Sequence, residues 1–131
     1  MEQPSNKLAF TICSANYLAQ AIALGDSLLQ HNPTYTFVIG LVDELDDKIL
    51  PVKISYPLIP IKDINIPDFN GFCAQYNITE LNTAVKPFYF SYLFEKNEAV
   101  ESIVYLDPDI FVYHSFELLE NHLASNQIIL T

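Results

Sequence analysis

Apolar residues in this chain follow two patterns: short runs with few polar residues, and longer stretches in which they recur every three or four positions. The runs 8–13, 36–42 and 102–106 favour β-branched and aromatic residues, so each predicts a buried strand. Helical spacing begins at Leu18 and stops near Pro33, because proline disfavours helical geometry in the residue before it. In chain order the pattern predicts strand 8–13, a helix from 18 to 31–33, strand 36–42, strand 54–61, a short helix within 67–76, helical segments within 77–96, strand 102–106 with 110–113 continuing extended, helix 115–123 and strand 127–131.

This alternation of strands and helices predicts an α/β fold with a mostly parallel sheet flanked by helices. The run 54–61 contains two prolines, which cannot donate to a β-ladder, so it is predicted to be an edge strand or an irregular one. The aromatic residues of 88–94 are interpreted as core packing, and the acidic run after the second strand as a solvated loop. That acidic run consists of Asp43, Glu44, Asp46 and Asp47.

Several residues predict where the helices begin. Asn16 and Ser115 stand where N-caps belong, and Asn77 with Glu80 three residues later fits a capping box. Pro87 is unfavourable inside a helix, so one helix is predicted to end just before it and a longer one to begin there.

Composition and charge restrict the function classes. The chain has 131 residues, half of them apolar, a net charge of −10, six lysines and no arginine, so it lacks the clustered cations of nucleic-acid binders. No apolar run approaches the roughly 20 residues of a membrane span, and the polar N-terminus does not resemble a secretory signal, so we predict a cytoplasmic protein without a transmembrane segment. Cys13 and Cys73 lack metal-site spacing and are predicted to be reduced thiols.

Two carboxylates interrupt one of the most apolar stretches, at Asp107 and Asp109 within 102–114. In an extended segment, residues two apart project to the same face, and ligands of parallel sheets bind at the carboxyl ends of strands. Adjacent carboxylates repel each other, and a divalent cation that prefers oxygen ligands, Mg²⁺ or Mn²⁺, would offset that repulsion. The alternative is an Asp-Pro turn with both carboxylates in solvent, and the local sequence alone leaves both open.

Three stretches resemble glycosyltransferases of the GT-A fold, especially those similar to glycosyltransferase family 8. They are FTICSANYLAQAIALGDSLLQHNP (10–33), NITELNTAVKPFYFSYLF (77–94) and IVYLDPDIFVY (103–113), and they occur in the order typical of that family. The resemblance implies a Rossmann-like GT-A fold in which 1–131 is a single nucleotide-sugar-binding domain. It also implies transfer of a hexosyl group from a nucleotide sugar to a glycan, lipid or protein acceptor.

The same resemblance assigns roles to individual residues. It implies that Asp107 and Asp109 hold a divalent metal, usually Mn²⁺, which binds the donor diphosphate, and that Asp107 also touches the ribose. Asn16 and Tyr17 match an Asn-Tyr pair that lines the nucleoside pocket, with Tyr17 beside the base. Lys86 lies near the position from which a cation reaches the donor.

The chain also departs from this family. Ser14 and Ala15 stand where some relatives carry acidic residues, one of which contacts uracil, so a UDP-sugar is the expected donor but the base is left open. The acceptor-binding half, which carries a third metal ligand, would follow the last predicted strand. The chain ends on that strand, so we expect a truncated domain that does not catalyse transfer by itself, and its catalytic residues are not assigned.

Two other function classes stay open. One is a non-catalytic α/β module that binds a nucleotide or a partner, including a second copy through the exposed sheet edge. The other is a DxD phosphohydrolase of the haloacid dehalogenase type, which places its DxD motif on the first strand. The motif of this chain comes late, with Phe111 where that class has Thr or Val, so this alternative ranks below the transferase.

Overall fold

The computed structural model describes residues 5–44 and 54–130, which fold as α/β with a four-stranded, all-parallel sheet. The predicted parallel α/β class is therefore confirmed. The strands are β1 (Lys7–Cys13), β2 (Thr36–Leu41), β3 (Leu58–Pro60) and β4 (Ser102–Tyr105). Their order in the sheet is β3-β2-β1-β4, so β1 is an inner strand and β3 and β4 are the edges of this sheet.

Five α-helices accompany the sheet in the described residues, and most of their predicted boundaries are confirmed. The capping box is present: the Asn77 side chain accepts from the Glu80 amide and the Glu80 side chain accepts from the Asn77 amide, both at 2.9 Å. The predicted break at Pro87 separates two helices, and the short, proline-containing β3 lies at an edge as expected. The helices are α1 (Leu18–His31), α2 (Phe69–Ala74), α3 (Ile78–Ala84), α4 (Lys86–Lys96) and α5 (Glu117–Leu123).

The central strand β1 is buried on both faces, so its side chains alternate between two cores. Phe10 faces the core built with α3 and α4, where its ring packs edge-on against Phe90 and Tyr105. Ala9 and Cys13 face the second core, built with α1. Burial on both faces explains why this strand is a continuous apolar run instead of an alternating one.

Tyr89 fixes α4 on the sheet. Its side chain is fully buried, and its hydroxyl donates to the carbonyl of Ile59 at 2.8 Å. A Cβ atom on Gly40 would lie 2.8 Å from the Tyr89 ring, so only glycine allows this approach of helix to strand. Lys86 lies one turn before Tyr89 on the same helix, so this contact also sets where the lysine is held.

Two predictions about the C-terminal third are wrong. No strand forms over 127–130. The segment 110–113 belongs to neither a helix nor a strand, and its Val112 amide donates to the Ser27 hydroxyl at 3.0 Å. Phe116, not Ser115, is the N-cap of α5, because the helix begins one residue later than expected; Ser115 Oγ still accepts from the Glu117 amide at 3.4 Å. Residues 45–53, including Asp46 and Asp47 of the acidic run, lie outside the described part, as does Thr131.

The predicted N-cap at Asn16 is also wrong. A 3₁₀ turn over Ala15–Tyr17 leads directly into α1, so Tyr17 takes the N-cap position without a side-chain hydrogen bond. The first amides bond preceding carbonyls instead, as Tyr17 N does to Ser14 O at 3.0 Å. None of the helices in 5–44 and 54–130 combines the length and apolarity needed to cross a membrane.

Candidate functional site

The carboxyl ends of β1, β2 and β4 border one open cleft of about 1070 Å³. Its other wall is formed by α3 and the first residue of α4. Ligands of parallel α/β sheets bind at this end of the strands, so the cleft is where a site was expected. Six sequence-predicted residues line it together, namely Ser14, Asn16, Tyr17, Lys86, Asp107 and Asp109.

A tight turn presents the two aspartates, so the predicted extended geometry is wrong and the Asp-Pro turn left open as the alternative is the geometry that forms. β4 ends at Tyr105, and the Ile110 amide donates to the Asp107 carbonyl at 3.1 Å, which closes a turn around Pro108 and Asp109. Aspartate at the first position and proline at the second are typical of such turns, because proline fixes its φ and an amide proton is not needed there. Both carboxylates are exposed, and both residues line the cleft.

Lys86 lies between Asp107 and an aromatic ring. Its ammonium is 3.6 Å from Asp107 Oδ1 and 4.3 Å from the centre of the Tyr105 ring. Burial and the neighbouring Asp107 carboxylate raise the pKa of the Tyr105 phenol, so this tyrosine stays neutral beside the lysine. Within the described part of the chain, Asp109 has no such ion pair.

The loop that follows β1 is held by side chains from two places. The Ala15 amide donates to Asp43 Oδ1 at 2.7 Å, and the Ser14 hydroxyl donates to the side-chain oxygen of Asn16. Asp43 lies in the loop after β2 as predicted, but it is half-buried and bonded to the Ala15 amide instead of fully solvated. Tyr17 remains 46% exposed, so much of its ring is available to a ligand in the cleft.

Sequence reasoning missed several lining residues. Asp43 directly follows the apolar run of β2, much as Asp107 follows that of β4, and this repeated pattern was the available signal. The wall from α3 carries Thr79, Asn82 and Thr83, whose spacing of three and four places them on one helix face. The side-chain oxygen of Asn82 is buried and has no hydrogen-bond partner in the described residues.

The charges of the cleft decide what could bind there. Its described lining includes four carboxylates, from Asp43, Glu44, Asp107 and Asp109, and Lys86 is its single cation. No three histidine, cysteine, aspartate or glutamate side chains in 5–44 and 54–130 lie close enough to hold a metal ion. Carboxylates such as those of Asp107 and Asp109 are nevertheless the ligand type that Mg²⁺ and Mn²⁺ prefer, and such ions often take only one or two of them and complete their shell with substrate phosphate oxygens and water.

We expect the cleft cysteine, Cys13, to resist alkylation in the folded protein. Burial, with a smaller effect from Asp43, raises the pKa of the Cys13 thiol to about 12, so very little reactive thiolate exists at about pH 8. Cys73 is only partly buried. Iodoacetamide treatment followed by mass spectrometry should therefore label Cys73 first and Cys13 only after unfolding in urea. Equal labelling of both thiols in the native protein would show that Cys13 is transiently exposed to solvent.

Comparison with known proteins adds no assignment. No protein-family model matches the chain, and no curated protein sequence matches it. Support for a function therefore comes from the residues that the fold gathers at the cleft.

Proposed function

We propose that the cleft binds the nucleotide-sugar donor of a GT-A glycosyltransferase as a complex with a divalent metal ion. One observation carries this proposal: three segments far apart in sequence, near 14–17, 86 and 107–109, converge on one cleft at the carboxyl end of the sheet. These segments carry the aromatic, cationic and paired-carboxylate groups that such a ligand requires. The resemblance of the same three segments to GT-A enzymes supports this interpretation.

The metal is part of the proposal because of the charge balance. Four carboxylates and one lysine in the described lining would repel a free diphosphate. In the proposed complex Asp107 and Asp109 hold Mn²⁺ or Mg²⁺, which when bound would neutralise the phosphate oxygens and stabilise charge on the leaving diphosphate. The N-terminal end of α1 and Lys86 supply the remaining positive potential at the cleft.

The remaining residues bind and orient the donor. Tyr17 offers a half-exposed ring on which a base can stack, and Asn16 and Ser14 lie in the same loop. The hydrogen bond from Ala15 to Asp43 holds this loop, so Asp43 acts as a positioning residue. Thr79 and Thr83 on the opposite wall offer hydroxyls to the ribose or the sugar.

Thermal unfolding with nucleotides tests the proposal. At about a hundredfold excess over the dissociation constant, UDP or GDP with Mn²⁺ should raise the Tm by about 8 °C. Uridine, which lacks phosphate, should give a much smaller shift with the same metal, and EDTA should remove the nucleotide effect.

Two outcomes would contradict this function. A nucleotide shift that persists in EDTA would show binding without the metal. Manganese-dependent hydrolysis of a phosphomonoester such as p-nitrophenyl phosphate, lost in Asp107→Asn, would favour the phosphohydrolase alternative.

A further inference from the structure

Lys86 occupies a position that a metal ion would have to share. Its ammonium is 3.6 Å from Asp107 Oδ1, on the carboxylate proposed to be a metal ligand, and it rests over the Tyr105 ring at 4.3 Å. The Lys86 side chain is 30% exposed, whereas that of Asp107 is 60% exposed. Lys86 is therefore the more enclosed side chain of the pair, while the Asp107 carboxylate remains open to solvent.

We propose that Lys86 and a divalent cation are alternative counter-ions of Asp107, so that metal binding releases Lys86 to the diphosphate. This inference rests on the proposed function. It goes beyond that function in one respect: Lys86 first competes with the metal for Asp107, and it contacts the diphosphate only after the metal has bound.

The strength of the ion pair makes such an exchange feasible. A separation of 3.6 Å is longer than the 2.7–2.9 Å typical of a strong charged hydrogen bond, and exposed pairs contribute little to stability. A doubly charged ion on Asp107 would repel the ammonium at this short distance. Tyr105 still holds the lysine through its ring face, so the lysine stays at the cleft when it loses the carboxylate.

The exchange predicts positive coupling between the two ligands. A metal alone must displace Lys86 and leave its charge without a partner, so it binds weakly. A metal that arrives with a diphosphate supplies the lysine with a new anionic partner, so the two bind more tightly together than separately.

Lys86→Met tests the inference with Mn²⁺ and inorganic pyrophosphate, which avoids the question of the base. The affinity for Mn²⁺ alone, measured from free Mn²⁺ by electron paramagnetic resonance, should rise about fivefold because the competing cation is gone. The affinity for pyrophosphate at saturating Mn²⁺, measured by calorimetry, should fall about tenfold because a charged hydrogen bond is lost. Lys86→Gln should reproduce both changes.

Lys96→Met is the matched control. Lys96 is the last residue of the same helix, about 15 Å along its axis from Lys86, and it does not line the cleft. Lys96→Met removes the same charge as Lys86→Met. An increase in Mn²⁺ affinity that both variants show would therefore be a net-charge effect. Such a shared increase would overturn the inference.

Failure of the inference and failure of the proposed function are distinguishable. If wild type binds Mn²⁺–pyrophosphate but Lys86→Met and Lys86→Gln leave Mn²⁺ affinity unchanged or lower it, the exchange is wrong and the donor site stands. If wild type binds no Mn²⁺–pyrophosphate, the proposed function fails and the exchange fails with it.

Discussion

Asp109→Ala is expected to abolish metal-dependent nucleotide binding while leaving the fold intact. Asp109 is exposed, lies in a turn and lacks an ion pair in the described part of the chain, so its carboxylate is the one most available to a metal. Loss of one of two charged ligands should weaken Mn²⁺-dependent binding of UDP or GDP by at least about a hundredfold. The free energy of unfolding should change by less than about 0.5 kcal/mol, because substitution of an exposed turn residue removes no buried contact.

Asp63→Ala provides the control for this variant. Asp63 is an exposed carboxylate in the 3₁₀ turn that follows β3, and it does not line the cleft. The Asp63→Ala variant should bind the nucleotide as wild type does. Calorimetric titrations of both variants with the nucleotide, with and without Mn²⁺, measure the difference. If Asp109→Ala kept metal-dependent binding, Asp109 would not be a metal ligand.

Tyr89→Ala is expected to cause the largest loss of stability among substitutions near the cleft. The ring is fully buried against Phe10 and Gly40, so its removal should cost about 3–5 kcal/mol. That is a large part of the roughly 5–15 kcal/mol by which domains are stable, and urea unfolding measures it.

Tyr89→Phe separates the packing contribution of the ring from that of the hydroxyl. It removes only the hydroxyl that donates to Ile59, and it should cost about 1 kcal/mol. If Tyr89→Ala cost no more than Tyr89→Phe, the packing of α4 against β2 would not be what holds the helix. The nucleotide affinity of Tyr89→Phe should remain near that of wild type, because the ring still holds the helix that carries Lys86.

Elements marked by strong local signals could be predicted from the sequence. The capping box at Asn77, the break at Pro87 and the proline-containing edge strand depend on interactions between near neighbours, and all three are confirmed. The apolar runs identified β1 and β2, which are buried on both faces, and also β4, which is partly buried at the edge of the sheet. Parallel pairing of β1 with β2 then follows from α1, which connects them.

The errors arise where strand pairing, tertiary contacts or turn chemistry outweigh the local sequence pattern. The run 127–130 is apolar enough for a strand, but it pairs with none of the described strands and stays largely exposed. Asp43 resembles part of a solvated acidic loop until β1 and β2 pair and bring it to the Ala15 amide. The aspartates form a turn because local Asp-Pro preferences outweigh the extension of β4.

The six candidate residues are predicted by the family resemblance and, for the two aspartates, by their position after a strand. The fold brings all six to one cleft. Their chemistry does not follow from that placement, because the same α/β architecture serves many reactions. The ion pair between Lys86 and Asp107 joins residues 21 positions apart in the sequence and could not be anticipated from local pattern.

The hydrogen bonding of β1 has a consequence for ligand length. β1 leads into the loop that bears Tyr17, and its Phe10 carbonyl accepts from Leu106, the residue before Asp107, at 3.0 Å. The two ends of the cleft are thus tied to one main chain, and their separation is set by peptide geometry and not by rotamers. If the cleft binds the proposed donor, substitutions inside it can therefore change which base or ion binds, whereas the number of phosphates that fit between Tyr17 and Asp107 should stay the same.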